Sequence, residues 1–170
     1  MSLVIAIDDP RGEDVQAVLA AHLAFAREVT PPEGVHALGV EGLLDPAVTF
    51  FSARLEGELL GVGALKQLDE SQAELKSMHT VEAARRRGVG RAIVDHLLSV
   101  AAARKCRRVS LETGAMDAFA PARRLYLKAG FVPCAPFGEY CFSPSSVCMT
   151  IDLGLPPVIR RRVRARDPAR

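Results

Sequence analysis

The stretch ARRRGVGRAIVDHLL, residues 84–98, sets three arginines against two glycines and then runs directly into a helical pattern. The first turn of a helix carries unpaired N–H groups and roughly half a positive charge, so it attracts anions. Gly88 and Gly90 let an anion approach that turn with no Cβ in the way, and Arg85, Arg86, Arg87 and Arg91 add charge and donors around it. A phosphate loop of the Walker type would end in Lys-Ser or Lys-Thr, which is missing here. A dinucleotide fingerprint would place a third glycine where Ile93 stands, and would follow a strand near the chain start. What remains is a diphosphate seat at a mid-chain helix or a solvated arginine cluster.

Outward from this loop the pattern alternates between periods of about two and 3.6. Upstream, LVIAI (3–7) reads as a strand, and GEDVQAVLAAHLAFARE (12–28) carries a helical stripe at 15, 18, 19, 23 and 26. Pro31-Pro32 ends that helix, and a second short helix is expected around 35–44. VTFFSARL and LLGVGALKQL flank EGE as a hairpin, and AELKSMHTV (73–81) forms the next strand, antiparallel to the one before. Residues 88–104 place Val89, Ile93, Leu97 and Val100 on one face, widened by Val94, Leu98 and Ala101. Downstream come a strand at RRVSLET, a helix over about 119–129 with Pro121 early and Gly130 at its end, and strands at FVP and SVCMTIDL. The order β-α-α-β-β-β-α-β-α-β-β predicts an α/β (α+β) fold, a mixed sheet with helices on both faces, over residues 1–154.

Composition narrows the function classes. Apolar residues make up 49% and charged residues 25% of 170, ordinary for a globular chain with one sizeable core. No run reaches the roughly 20 apolar residues of a membrane span. The start MSLVIAIDDP has no basic segment before its apolar run, so the cytoplasm is the expected compartment. Cys106, Cys134, Cys141 and Cys148 form no CxxC pair, and reduced thiols with no metal are expected. The net charge of +2 conceals a basic tail, residues 155–170, with arginines at 160, 161, 162, 164, 166 and 170. It lacks interleaved aromatics, so a solvated tail is expected rather than a nucleic-acid grip.

The segment from Met78 to Ala92 resembles the first signature of the GCN5-related N-acetyltransferase (GNAT) superfamily, and ARRLYLKAGF (122–131) is similar to its second. The resemblance implies the acyl-CoA N-acyltransferase fold: six to seven mostly antiparallel strands, splayed between the fourth and fifth to admit the pantetheine arm of acetyl-CoA. It places Met78, His79 and Thr80 along that arm, with main-chain bonds from Met78 and Thr80 to the arm and to the thioester carbonyl, where a fixed N–H acts as an oxyanion-type donor. Arg85, Arg86, Arg87, Gly88, Val89, Gly90 and Arg91 would hold the pyrophosphate. It makes Tyr126 the acid that protonates the departing thiolate, although packing at a helix–sheet contact is its other reading. Many relatives carry asparagine seven residues before this tyrosine; here that position is Phe119.

An alkyl ammonium with pKa about 10.4 costs roughly 4–5 kcal/mol to deprotonate near pH 7, so a positioned base is needed. Glu74 matches the catalytic glutamate of histone-type members, and strict alternation puts it on the same face as Thr80 and opposite His79. It reads equally as a strand carboxylate beside Lys76. Glu112 and His79 are the alternates. The acceptor pocket is expected from His36 and Glu33, the 51–54 strand and the loop FGEYCFSP with Glu139 and Tyr140. The implied activity is direct acetyl transfer from acetyl-CoA to a small-molecule or peptide amine, with no acyl-cysteine and no membrane partner. A catalytically inactive acetyl-CoA-binding regulator is the alternative. Homodimers are common among relatives.

Overall fold

A computed structural model describes residues 2–154; the arginine-rich tail lies outside the described residues. The elements follow the order expected from the sequence: β1 (Val4–Ile7), α1 (Glu13–Val29), α2 (Val40–Leu43), β2 (Val48–Leu55), β3 (Glu58–Gln67), β4 (Gln72–Thr80), α3 (Val89–Ala103), β5 (Arg108–Gly114), α4 (Ala120–Ala129), β6 (Val132–Cys134) and β7 (Ser146–Asp152). The expected second helix is shorter than 35–44, with a 3-10 turn at Pro32–Gly34 ahead of it. None of the helices among the described residues is long and apolar enough to cross a membrane.

Seven strands form one sheet in the order β1-β2-β3-β4-β5-β7-β6. Every neighbouring pair is antiparallel except β4–β5. That parallel pair is brief: Gln72–Leu75 pairs with Arg108–Leu111, and there the pairing stops. β4 continues to Thr80 and β5 to Gly114 without bonding to one another, so the sheet opens between them.

Helices cover both faces. On one face α1 lays Val15 and Leu19 over Phe50, Val62 and Ala64. On the other, α3 buries Ile93 and Leu97 against Phe51, Leu65, Leu75 and Leu111, beside Tyr126 of α4. Each such side chain contributes about 1.5–3 kcal/mol of burial. The stripe expected at 88–104 is the one buried, with Val89, Ile93, Val94, Leu97 and Ala101 at its centre. Gly63 allows the close approach of α3, since a Cβ there would lie 2.7 Å from Met78 Sδ and 2.8 Å from Ile93 Cγ2.

A β-bulge changes the reading of β4. Lys76 pairs with Ala64 and His79 with Val62, so Ser77 and Met78 together oppose Gly63, with Ser77 at φ +53°. The extra residue inverts the alternation beyond it. Glu74, Lys76 and His79 therefore share the α1 face, while Met78 and Thr80 turn toward α3. This corrects the expectation that Glu74 shares a face with Thr80 and opposes His79.

Candidate active site

The gap between β4 and β5 opens into a cavity of about 980 Å³, within the range of small-molecule and cofactor sites. It runs through the sheet, so its walls come from both faces.

The α3 side of the cavity is cationic and glycine-lined. Arg85, Arg86, Gly88, Val89, Gly90 and Arg91 line it, joined by Arg124 and Lys128 of α4. Gly88 caps α3 at φ +83°, the left-handed region that side chains with a Cβ rarely adopt, and nothing lies within 4 Å of where its Cβ would be. Arg86 sits at φ +62°. Val89 is buried, so only its main chain is available to a ligand. Arg91 is already engaged: its Nε donates to Asp95 Oδ1 at 2.9 Å and its Nη1 to the Lys128 carbonyl at 3.0 Å. Arg87 is exposed and stands outside the cavity wall. Met78, His79 and Thr80 all line the cavity along the unpaired stretch of β4.

Tyr126 also lines this side. Pro121 starts its helix and Gly130, at φ +105°, ends it. The Arg123 guanidinium donates to the carbonyls of Gly114 (2.6 Å) and Met116 (2.9 Å), tying α4 to the end of β5. Tyr126 is 6% exposed, packs edge-on to Phe131, and burial raises its pKa above the ordinary tyrosine value. It stays protonated at neutral pH, as a proton donor must.

Carboxylates line the α1 side. Glu74 is 4% exposed. Lys76 Nζ donates to Glu74 Oε1 at 3.1 Å and to Tyr140 Oη at 2.7 Å, and Tyr140 Oη donates in turn to Glu74 Oε1. The three form a closed network that neutralises a charge otherwise costly to bury. The His36 ring meets the Tyr140 ring edge-on at 5.1 Å. Glu112, half-buried on β5, accepts a hydrogen bond from Ser146 Oγ at 2.8 Å, and burial raises its pKa. Ser110 pairs with Glu74, so two residues further along Glu112 faces the same side.

Further residues complete the walls. His22 of α1 lies on the stripe shared with Val15, Leu19 and Ala26, and its Nδ1 is 3.3 Å from His79 Nδ1. Desolvation lowers both pKa values, His79 to about 4 with added repulsion from His22 and Arg85. The helical stripe was the signal for His22; its partner across the sheet was not visible in the sequence. Phe119 packs edge-on to Phe25 at 5.2 Å and lies so close to Gly114 that a Cβ there would come within 2.2 Å of it. Of the expected acceptor residues, His36 and Tyr140 line the cavity. Glu33, Glu139 and the 51–54 segment do not, the last because β3 separates β2 from β4.

These walls suit a CoA thioester. Ser77 Oγ is buried beside the cavity without a hydrogen-bond partner, the main chain of β4 beyond Leu75 has no strand partner on the β5 side, and a bare-backbone helix start sits among arginines.

Residues 16–131 match the model of the Acetyltransferase (GNAT) family. An uncharacterized N-acetyltransferase of Bacillus subtilis, YsnE, is 45% identical over 146 residues, 86% of this chain and 97% of that protein. An uncharacterized N-acetyltransferase of Escherichia coli, YedL, is 44% identical over 149 residues, covering 88% of this chain and 94% of that one. Among solved structures, a Bacillus subtilis acetyltransferase in complex with CoA superposes with a TM-score of 0.68 at 19% identity, over 89% of this chain and 99% of its own. With the family model matched over residues 16–131 and two N-acetyltransferases 44–45% identical over most of their length, this chain belongs to the GNAT acetyltransferase family.

Proposed function

We propose that this protein transfers the acetyl group of acetyl-CoA directly to a primary amine in a ternary complex. One observation carries the reading: a single cavity passes through the split sheet and joins a cationic, glycine-lined mouth to a carboxylate-lined chamber. Acetyl-CoA supplies an activated acyl carbon when bound. Arg85, Arg86, Arg124 and the main chain at Gly88–Gly90 hold its diphosphate, and the Met78–Thr80 main chain holds its pantetheine arm. The fixed N–H of Thr80 stabilises charge that develops on the carbonyl oxygen.

On the far side the amine enters as an ammonium and surrenders a proton to the carboxylate layer of Glu74 and Glu112. Tyr126, neutral and buried, gives a proton to the leaving sulfur. No cysteine lines the cavity among the described residues, which supports direct attack over an acyl-enzyme. The reading is tested by thiol release from acetyl-CoA across an amine panel, with initial-rate patterns in both substrates. Intersecting lines and an unmodified protein mass are expected. Acetyl-CoA binding with no acceptor turned over would overturn it.

A further inference from the structure

The two carboxylates of the acceptor chamber differ in what already holds them. Glu74 is locked: Lys76 and Tyr140 both donate to the same oxygen, and the Glu74 and Lys76 side chains are only 5% and 10% exposed. Glu112 lies on the same face, but its one hydrogen bond is to a neutral hydroxyl, Ser146, and it has no ion-pair partner among the described residues. Once Glu74 and Lys76 cancel, the chamber retains a single uncompensated negative charge, at the point where the strands part. Every arginine that lines the cavity stands at the opposite mouth. Ser77, 8% exposed, lines the cavity with a hydroxyl that has no hydrogen-bond partner among the described residues. Phe25, Phe119, His36 and Tyr140 add aromatic rings to the wall, with Ala26, Val35 and Ala37 beside them.

Given the acetyl-transfer reading above, on which this rests, we propose that Glu112 seats the acceptor's ammonium and takes its proton, and that the acceptor is a primary amine with an apolar or aromatic body and no carboxylate beside the nitrogen. The ammonium N–H bond breaks to the Glu112 carboxylate, giving a neutral amine and a carboxylic acid. The amine lone pair then forms the C–N bond while the C–S bond breaks; Tyr126 protonates the departing thiolate, the second proton shed by the nitrogen restores the Tyr126 phenol through solvent, and Glu112 releases its proton to water. Glu74 is a positioning residue that acts through Tyr140. An acceptor carboxylate would meet Glu112 with like charge and find Lys76 already taken, a mismatch that disfavours such substrates in a desolvated site.

The test compares 2-phenylethylamine with phenylalanine, which differ by one carboxylate, on wild type, Glu112→Gln, Glu112→Asp and Glu74→Gln. Wild type should favour 2-phenylethylamine by about tenfold or more in kcat/KM, and Glu112→Gln should lose about 100-fold at pH 7. That deficit should shrink as pH approaches the amine's own pKa, because the substrate then arrives deprotonated. His36, Lys76, Glu74, Tyr126, Tyr140, Cys148 and Ser146 also face Glu112, so the profile is read as the difference between variant and wild type. Calorimetric affinity for acetyl-CoA should stay within about twofold, which reports an intact fold, and Glu112→Asp should recover part of the rate. Glu74→Gln should act mainly on KM. A Glu112→Gln rate within about threefold of wild type, a deficit independent of pH, or equal use of the two acceptors would overturn the proposal while leaving acetyl transfer standing. A wild type that binds acetyl-CoA and acetylates neither these nor any other amine would remove the activity itself.

Discussion

Tyr140 reaches from the loop between β6 and β7 to donate its hydroxyl to Glu74, buried in the first, β5-paired part of β4, and Lys76 closes the triangle. A hydrogen bond to a charged group contributes about 1.5–3 kcal/mol. Replacing Tyr140 with Phe should therefore lower the unfolding midpoint by a few degrees. It should also raise the acceptor KM several-fold while the acetyl-CoA affinity holds, which calorimetry and initial rates would separate. A change confined to acetyl-CoA binding would show that the tyrosine serves the other end of the cavity.

The same triangle predicts strong non-additivity. Lys76→Met leaves Glu74 buried without its cation, at a cost of about 3–5 kcal/mol. Adding Glu74→Gln removes the stranded charge, so the double variant should be more stable than Lys76→Met alone. Urea midpoints across the four-member cycle give the coupling energy, and simple additivity would refute a buried ion pair.

At the mouth, Gly88→Ala should cost about 1 kcal/mol from backbone strain alone, since φ is +83°. Gly88→Glu adds bulk and negative charge where a diphosphate would sit, and should abolish measurable acetyl-CoA binding in calorimetry. Retained micromolar affinity would show that the diphosphate lies elsewhere.

Tyr126→Phe removes one hydroxyl from a ring packed against Phe131. It should reduce kcat about 10- to 100-fold with little change in KM or thermal midpoint. An unchanged kcat would assign the ring to packing only.

The two facing histidines should couple stability to pH. Both pKa values are lowered on folding, so between about pH 6.5 and about pH 4 the unfolded chain binds more protons than the folded one. Stability from this source is fully present above pH 6.5 and is lost progressively as the pH falls through that window. Chemical denaturation at pH 7 and pH 5 should show the loss, and His79→Asn should flatten it. An identical slope in the variant would place the effect on carboxylates instead.

Much of this molecule could be read before it was folded. The stripe at Val89, Ile93, Val94, Leu97 and Ala101 specified a core helix, and the glycines beside Arg85 and Arg86 marked the helix start that lines the cavity, because both depend on local periodicity and backbone chemistry. Glu74 beside Lys76 was legible for the same reason, being two residues apart on one strand. What escaped depends on long-range or irregular geometry. The pairing of His22 with His79 spans α1 and β4, and the exclusion of residues 51–54 follows from strand order. The inverted face of His79 follows from one bulged residue that leaves no compositional mark.

That residue, Ser77, divides the labour of a single strand. Before it, β4 offers carboxylate and ammonium groups to one compartment; after it, the next side chains point to opposite compartments from those a regular pleat would serve. Excising Ser77 would restore a regular pleat and leave His79 on the α1 face and Thr80 on the α3 face; keeping the residue but flattening the bulge would reverse both. One residue of slack thus lets two pleats of opposite phase meet in one strand, and its position decides which wall each later side chain supplies.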